Sequence, residues 1–221
     1  MKTPPTIVVK SNVIYNLDGV NVAITSDHYP LYCDFKKPTG LGEYPKAEGD
    51  LRIGNYFLTY CKGTDGVIDY DRTGRIIAKM NADIVCLQGL DKETERSEGI
   101  DQLNVLAQKA NMHDYFAKAI VYKGGEFGVG ILTKEEPVSV DRYQMAGKSE
   151  MRAAMVVEYE KFVVASTNFD TDMAKRIEAL QTLETKLSAY NKPAFLLGYF
   201  NEGDLESEFF QMVKSNWNLL S

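Results

Sequence analysis

Apolar residues recur along the chain in two rhythms. Short β-branched or continuous apolar runs predict strands at residues 6–9, 20–24, 31–35, 51–58 and 81–88, and again at 115–121, 128–133, 138–143, 153–159 and 162–167. The turn signal Asn16-Leu17-Asp18-Gly19 makes the first two of these a meander. Between strands, Ile76, Ile77 and Met80 share one side of a helix over 69–80, and Ile100, Leu103, Leu106 and Ala107 one side of a helix over 99–110. A longer helix over 172–190 carries Ile177, Leu180, Leu183 and Leu187 at helical spacing, with Asp170 or Thr171 as its cap. The run from Lys192 to Leu197 predicts a strand buried on both faces, and a helix near 206–213 and a strand near 217–220 close the chain. Strands outnumber helices, and helices separate groups of strands. Two mixed sheets packed face to face with helices outside them is the expected arrangement.

Length and composition favour one large core over two small ones, because 221 residues with 44% apolar content can bury a single domain's interior. The formal net charge is −6, and no Lys/Arg cluster exceeds two in a row, so a nucleic-acid partner is disfavoured. Cys33, Cys61 and Cys86 lack metal-site spacing and read as free thiols. No signal peptide and no apolar run of membrane-spanning length is visible, which predicts a soluble chain with no membrane partner.

Six stretches carry a resemblance. They are Leu51-Arg52-Ile53-x-x-Tyr56-x-Leu58; Asp83-Ile84-Val85-Cys86-Leu87-Gln88; the Gly124 to Leu132 stretch; Ser166-Thr167-x-Phe169; Gly198-x-Phe200-Asn201; and Ser26-Asp27-His28-Tyr29-Pro30. Together they resemble the motifs of the endonuclease/exonuclease/phosphatase family of metal-dependent phosphoesterases. The resemblance implies an α/β fold, the four-layer α/β/β/α sandwich of two mixed sheets, and agrees with the elements above. The motif order is rotated, however: the Ser-Asp-His motif, C-terminal in the family, here precedes everything else. The chain therefore resembles a circular permutant of the fold. On this reading residues 1–221 form a single domain, with 1–37 equivalent to the family's C-terminal segment, 51–221 to its N-terminal and central parts, and the Pro/Gly-rich stretch 38–50 joining them. Engineering is the favoured origin of the rearrangement.

The resemblance also locates what has changed. The family's first metal-site Asn matches Phe57, its metal-binding Glu matches Gly89, the His of its Thr-His-Phe motif matches Asn168, and the Asp of Gly-Asp-Phe-Asn matches Tyr199. Hard divalent cations want carboxylate and carbonyl oxygens, so the expectation is no metal cofactor, with Mg²⁺ or Mn²⁺ as the alternative. Gln88, Asn201, Asp27 and His28 remain at their family positions. Asp27 and His28 form either a working pair or a scaffolding hydrogen bond, and Asn201 is a site residue or a turn residue. An aromatic wall of Phe57 and Tyr199, a vacated volume at Gly89 and polar groups at Gln88, Asn168 and Asn201 describe a pocket for a small organic molecule. Arg152 resembles a family Arg and is a candidate anion contact. Cys61, expected on a loop rimming the pocket, could act as a nucleophile with His28 as base and Asp27 as orienter, against the plainer reading of an ordinary loop thiol.

Three function classes follow: a catalytically altered, permuted scaffold that binds or weakly transforms a small organic molecule; a residual Mg²⁺- or Mn²⁺-dependent phosphodiesterase using Asp27, Asn201 and Glu202; and an inactive topology scaffold. The Gly124-Gly125-x-x-Gly128 stretch precedes a strand and reads as a hairpin turn rather than a phosphate cradle. The run 92–98, rich in both charge signs, reads as a solvated approach to a helix.

Overall fold

The computed structural model describes residues 9–13, 16–17, 20–21, 31–35, 46 and 49–219. Two mixed sheets organise these residues. The first runs in the order β1 (Val9–Val13), β4 (Leu31–Phe35), β5 (Leu51–Phe57), β6 (Ile84–Lys92), β8 (Gly125–Thr133), β7 (His113–Tyr122). The second has four strands in the order β12 (Ala194–Tyr199), β11 (Val163–Asn168), β10 (Arg152–Glu158), β9 (Ser139–Met145). A separate short ladder pairs β2 (Asn16–Leu17) with β3 (Val20–Asn21). The expected meander is corrected here: β1 pairs with β4, and the Asn16–Leu17 and Val20–Asn21 segments pair only with each other.

Every adjacent pair is antiparallel except β5–β6 and β11–β12. A parallel pair needs a crossover, and each has a helix for one: α1 (Tyr70–Met80) between β5 and β6, and α3 (Met173–Leu187) between β11 and β12. α1 is capped by Asp69, whose side chain accepts from the Arg72 amide, and α2 (Gln102–Ala110) by Asp101 in the same way. For α3 the cap is Asp172, not Asp170 or Thr171, because Asp172 accepts from the Lys175 amide while Asp170 turns inward. The second helix thus starts three residues later than its apolar rhythm indicates, since Thr94 and Ser97 close a buried capping box around a 3-10 turn in the stretch read as solvated. α4 (Glu208–Asn216) ends at Trp217, and residues 217–219 form no strand.

Three apolar layers separate the four structural layers. Ile76, Ile77, Met80, Leu103 and Leu106 pack on Tyr56, Val85, Leu87 and Leu132 of the first sheet. Ile53, Ile84, Cys86, Val129 and Ile131 meet Ala153, Met155, Val157 and Val164 between the sheets. Leu180, Leu183, Phe209 and Val213 cover Ala154, Val156 and Ala165 of the second sheet. The α/β/β/α sandwich of two mixed sheets is the observed fold. The Lys123-Gly124 turn between β7 and β8 has positive φ at both residues, the two-residue hairpin that matches strand twist, in line with the hairpin reading.

Phe209 is fully buried and meets Phe169, Phe200 and Phe210 at ring-centroid distances of 5.4, 6.1 and 5.5 Å. Phe209→Ala should destabilise the fold by about 3–5 kcal/mol with an unchanged urea m-value, read by equilibrium unfolding.

Candidate functional site

The C-terminal ends of the two parallel pairs meet across the sandwich. Phe57 lies opposite Gln88 in the first pair, and Asn168 opposite Tyr199 in the second. Such strand ends are where open α/β sheets place ligands. Gly198 is required within its own pair, since a Cβ there would lie 2.1 Å from the carbonyl oxygen of Thr167, its register partner on β11. Its own carbonyl accepts a 3.2 Å hydrogen bond from Asn55 Nδ2, which ties β12 to β5.

Gly89 is the extra residue of a β-bulge between β6 and β8, with φ of 74°. The Phe57 ring fills the space beside it: a Cβ on Gly89 would stand 3.3 Å from Phe57 Cζ and 3.3 Å from the Thr59 nitrogen. The same ring meets Tyr199 at 4.7 Å between centroids. The vacated volume expected at Gly89 is therefore occupied, and Phe57 and Tyr199 pack on each other instead of facing across an open cavity.

Beneath this pair runs a neutral network. Gln88, fully buried, donates through Nε2 to Asn55 Oδ1 at 2.9 Å and to Ser166 Oγ at 3.3 Å. Asn201, in a left-handed conformation with φ of 52°, donates to the Phe169 carbonyl at 2.6 Å and to Asn168 Oδ1 at 3.4 Å. Arg176 holds the following loop: it donates to the carbonyls of Asp170, Thr171 and Asn201, and to Glu202 Oε2 at 2.8 Å. The turn reading of Asn201 is thereby supported, and it sits beside the site as well.

Charged groups near the site are committed elsewhere. Arg152 donates to Asp170 at 3.1 Å and to Glu150 at 3.0 Å, so it is an internal ion-pair partner and not a poised anion contact. Burial opposes ionisation of Asp170, but the Asp172 amide, Arg152 and the Lys148 amide outweigh it and hold its carboxyl below the usual range. Glu202 is likewise held low, first by the Asp204 amide and then by Arg176. Among the described residues no cluster of three His, Cys, Asp or Glu side chains could hold a metal ion. Phe57, Gly89, Asn168 and Tyr199 supply no carboxylate, so this donor set does not fit Mg²⁺ or Mn²⁺.

Cys61 requires a correction. It is fully buried, and burial pushes its thiol up to about 12 despite a hydrogen bond with Thr73. It belongs to the apolar layer under α1 and α2, not to an exposed rim. Asp27 and His28, its proposed partners, lie outside the described residues. Cys86 is buried between the sheets, as its strand pattern implies.

No family model matches the sequence, and no curated protein does. Solved structures do match. An endonuclease/exonuclease/phosphatase from Beutenbergia cavernae is 19% identical over 75% of this chain and 53% of its own, with a TM-score of 0.64. A family protein from Leptotrichia buccalis is 14% identical over 75% and 72%, with a TM-score of 0.56. ANGEL2, a 2′,3′-cyclic phosphatase, is 17% identical over 65% and 46%, with a TM-score of 0.50. This chain has the endonuclease/exonuclease/phosphatase fold. It spans only about half the length of the Beutenbergia protein and of ANGEL2. The motif resemblance is thus borne out at the level of fold; Phe57, Asn168 and Tyr199 lie at or next to the ends of the parallel ladders, and Gly89 follows Gln88 inside β6. Also among the described residues, no helix is long and apolar enough to cross a membrane.

Asn55 and Ser166 join the site without having been picked out in the sequence. Asn55 precedes Phe57 by two residues and so shares its face of β5, a period-2 signal that was available. Ser166 belongs to the Ser166-Thr167-x-Phe169 motif, and its role comes from the Gln88 side chain reaching it across the sheets.

Two outcomes follow from this geometry. A raised thiol pKa keeps Cys61 protonated from neutral pH up toward 12, so iodoacetamide at pH 8 should label it at least about a hundredfold more slowly than free glutathione, read by peptide mass spectrometry. Gly89→Ala should cost about 1–3 kcal/mol, from the left-handed backbone and the Phe57 contact together; adding Phe57→Ala should relieve only the contact part, measured as a double-mutant cycle in urea.

Proposed function

We propose that this chain is a metal-free version of a phosphoesterase-type scaffold whose strand-end site takes a small organic molecule. The observation that carries the reading is the Phe57 ring, resting over Gly89 and against Tyr199, where the resemblance places metal-binding groups. Neutral amides line the rest of the site, and the nearby Asp170 and Glu202 are already held by Arg152 and Arg176. Flat apolar surface with a few placed hydrogen-bonding groups is what organic ligands ask of a site. A phosphate would find no cation uncommitted among Arg152 and Arg176, and of Asp27, Asn201 and Glu202, the ligands a residual metal site would draw on, the two described, Asn201 and Glu202, are engaged with the Phe169 carbonyl and Arg176.

The proposal includes a circularly permuted order. Its support is the antiparallel pairing of β4 with β5, which sets the strand after Ser26-Asp27-His28 beside the one bearing the family's first metal-site motif.

Thermal melts with millimolar Mg²⁺, Mn²⁺ or EDTA, run beside hydrolysis of a bis-aryl phosphodiester, test the metal-free half. The expected result is no shift between metal and chelator and no metal-dependent turnover. A variant carrying Phe57→Asn, Gly89→Glu, Asn168→His and Tyr199→Asp should gain a metal-dependent stabilisation of about 2–3 kcal/mol at a hundredfold excess over its dissociation constant. Metal-dependent turnover by the unaltered chain would return the hydrolase reading to first place.

A further inference from the structure

The network under the aromatic pair has one loose end, and its orientation is fixed by its neighbours. The Gly198 carbonyl can only accept, so Asn55 must present Nδ2 to it at 3.2 Å. Asn55 therefore presents Oδ1 to Gln88, and Gln88 must answer with Nε2 at 2.9 Å. The other face of the Gln88 amide, Oε1, is then left fully buried with no donor among the described residues. Turning the amide over would set two acceptors against each other at Asn55. Ser166, the remaining neighbour, is reached by Nε2 at 3.3 Å, not by Oε1.

A buried carbonyl without a donor is a standing cost that an incoming N–H or O–H removes. Phe57 shares a face of β5 with Asn55 and lies opposite Gln88 in the ladder, so the Phe57–Tyr199 pair is the part of the site that must part to admit such a group. Every other polar group in the network is neutral as well: Asn55, Ser166, Asn168 and Asn201.

Resting on the small-molecule reading above, we infer that the site selects a neutral, flat molecule bearing a hydrogen-bond donor, and that Gln88 Oε1 is the acceptor that anchors it. Gln88 sets the ligand class, and the Phe57 and Tyr199 rings supply the stacking surface. Anions are disfavoured because the network is made of neutral amides and a hydroxyl, and Arg152 and Arg176 beside it are already paired with carboxylates.

The test compares three probes on the unaltered chain by calorimetry and by amide chemical shifts: benzamide, which has the donor; methyl benzoate, similar in shape but without it; and phenyl phosphate, an anion. Benzamide should bind at least tenfold more tightly than methyl benzoate, with shifts centred on Phe57, Gln88 and Tyr199, and phenyl phosphate should not bind. Gln88→Met should erase the preference between the first two; if that variant does not fold, the ranking on the unaltered chain still decides. Equal binding of benzamide and methyl benzoate overturns the anchoring role and leaves the small-molecule reading of the site standing. Shifts confined to another surface overturn the placement. Binding of phenyl phosphate alone, or of none of the three at 10 mM, overturns both this inference and the pocket.

Discussion

The contact on which the site depends is the closure between the two parallel strand pairs. Asn55 on β5 bonds the carbonyl of Gly198 on β12 across the sheets, while within its own pair Gly198 lies so close to Thr167 that no side chain fits there. Two parallel pairs, each requiring a helical crossover, release their chains at the same end of the sandwich. The sheets are held together along most of their length by apolar side chains, but at this end by amides and a pair of rings. Geometry of the fold thus concentrates polar backbone and side-chain groups in one place before any particular chemistry is chosen.

What occupies that place decides its electrostatics. Several carboxylates gathered at strand ends repel one another, and a bound cation relieves the repulsion. Phe57, Gly89, Asn168 and Tyr199 gather no such charge. Ring contact and amide hydrogen bonds do the joining instead, and they require exclusion of water from Gln88 and Ser166, both fully buried. Arg152 on β10 and Arg176 on α3 complete the arrangement, each neutralising a carboxylate on the adjoining loops.

Much of the fold was legible because it rests on periodicity. The apolar runs placed β5, β10, β11 and β12 within a residue or two, and the helical rhythm placed α1 and α3. Legibility failed where local hydrogen bonds override the rhythm. Thr94 and Ser97 cap each other and delay α2, and Asp170, an apparent cap, is drawn inward by Arg152, leaving Asp172 to start α3. The motif resemblance pointed to Phe57, Gly89, Asn168 and Tyr199, but a list of positions does not say what fills a volume. Whether Phe57 would wall a cavity or pack into it depends on the bulge at Gly89, and whether Cys61 would be exposed depends on the turn that carries it; neither is written in spacing.

That turn shows how the plug is held. Thr59, Tyr60 and Cys61 all have positive φ, at 47°, 48° and 62°, three successive left-handed residues without a glycine. Each costs on the order of 1–2 kcal/mol, so the conformation persists only where surrounding contacts over-determine it. They do so here from several directions. The Tyr60 ring lies 3.8 Å from the Arg96 guanidinium, which Asp91 grips through two hydrogen bonds of 2.7 and 2.8 Å; the Tyr60 carbonyl accepts from Gln102 at 2.9 Å; and the Cys61 carbonyl accepts from the Asp69 amide. Cys61 is consequently driven into the core and Leu58 is pinned to the Gln88 carbonyl. With the chain fixed immediately after Phe57, the ring has little choice but to lie over Gly89, and an L-residue with a side chain at Gly89 would meet both that ring and the backbone of the turn. The strained turn, the glycine and the aromatic pair are therefore one mechanical unit, in which the choice of residue at each place constrains the other two.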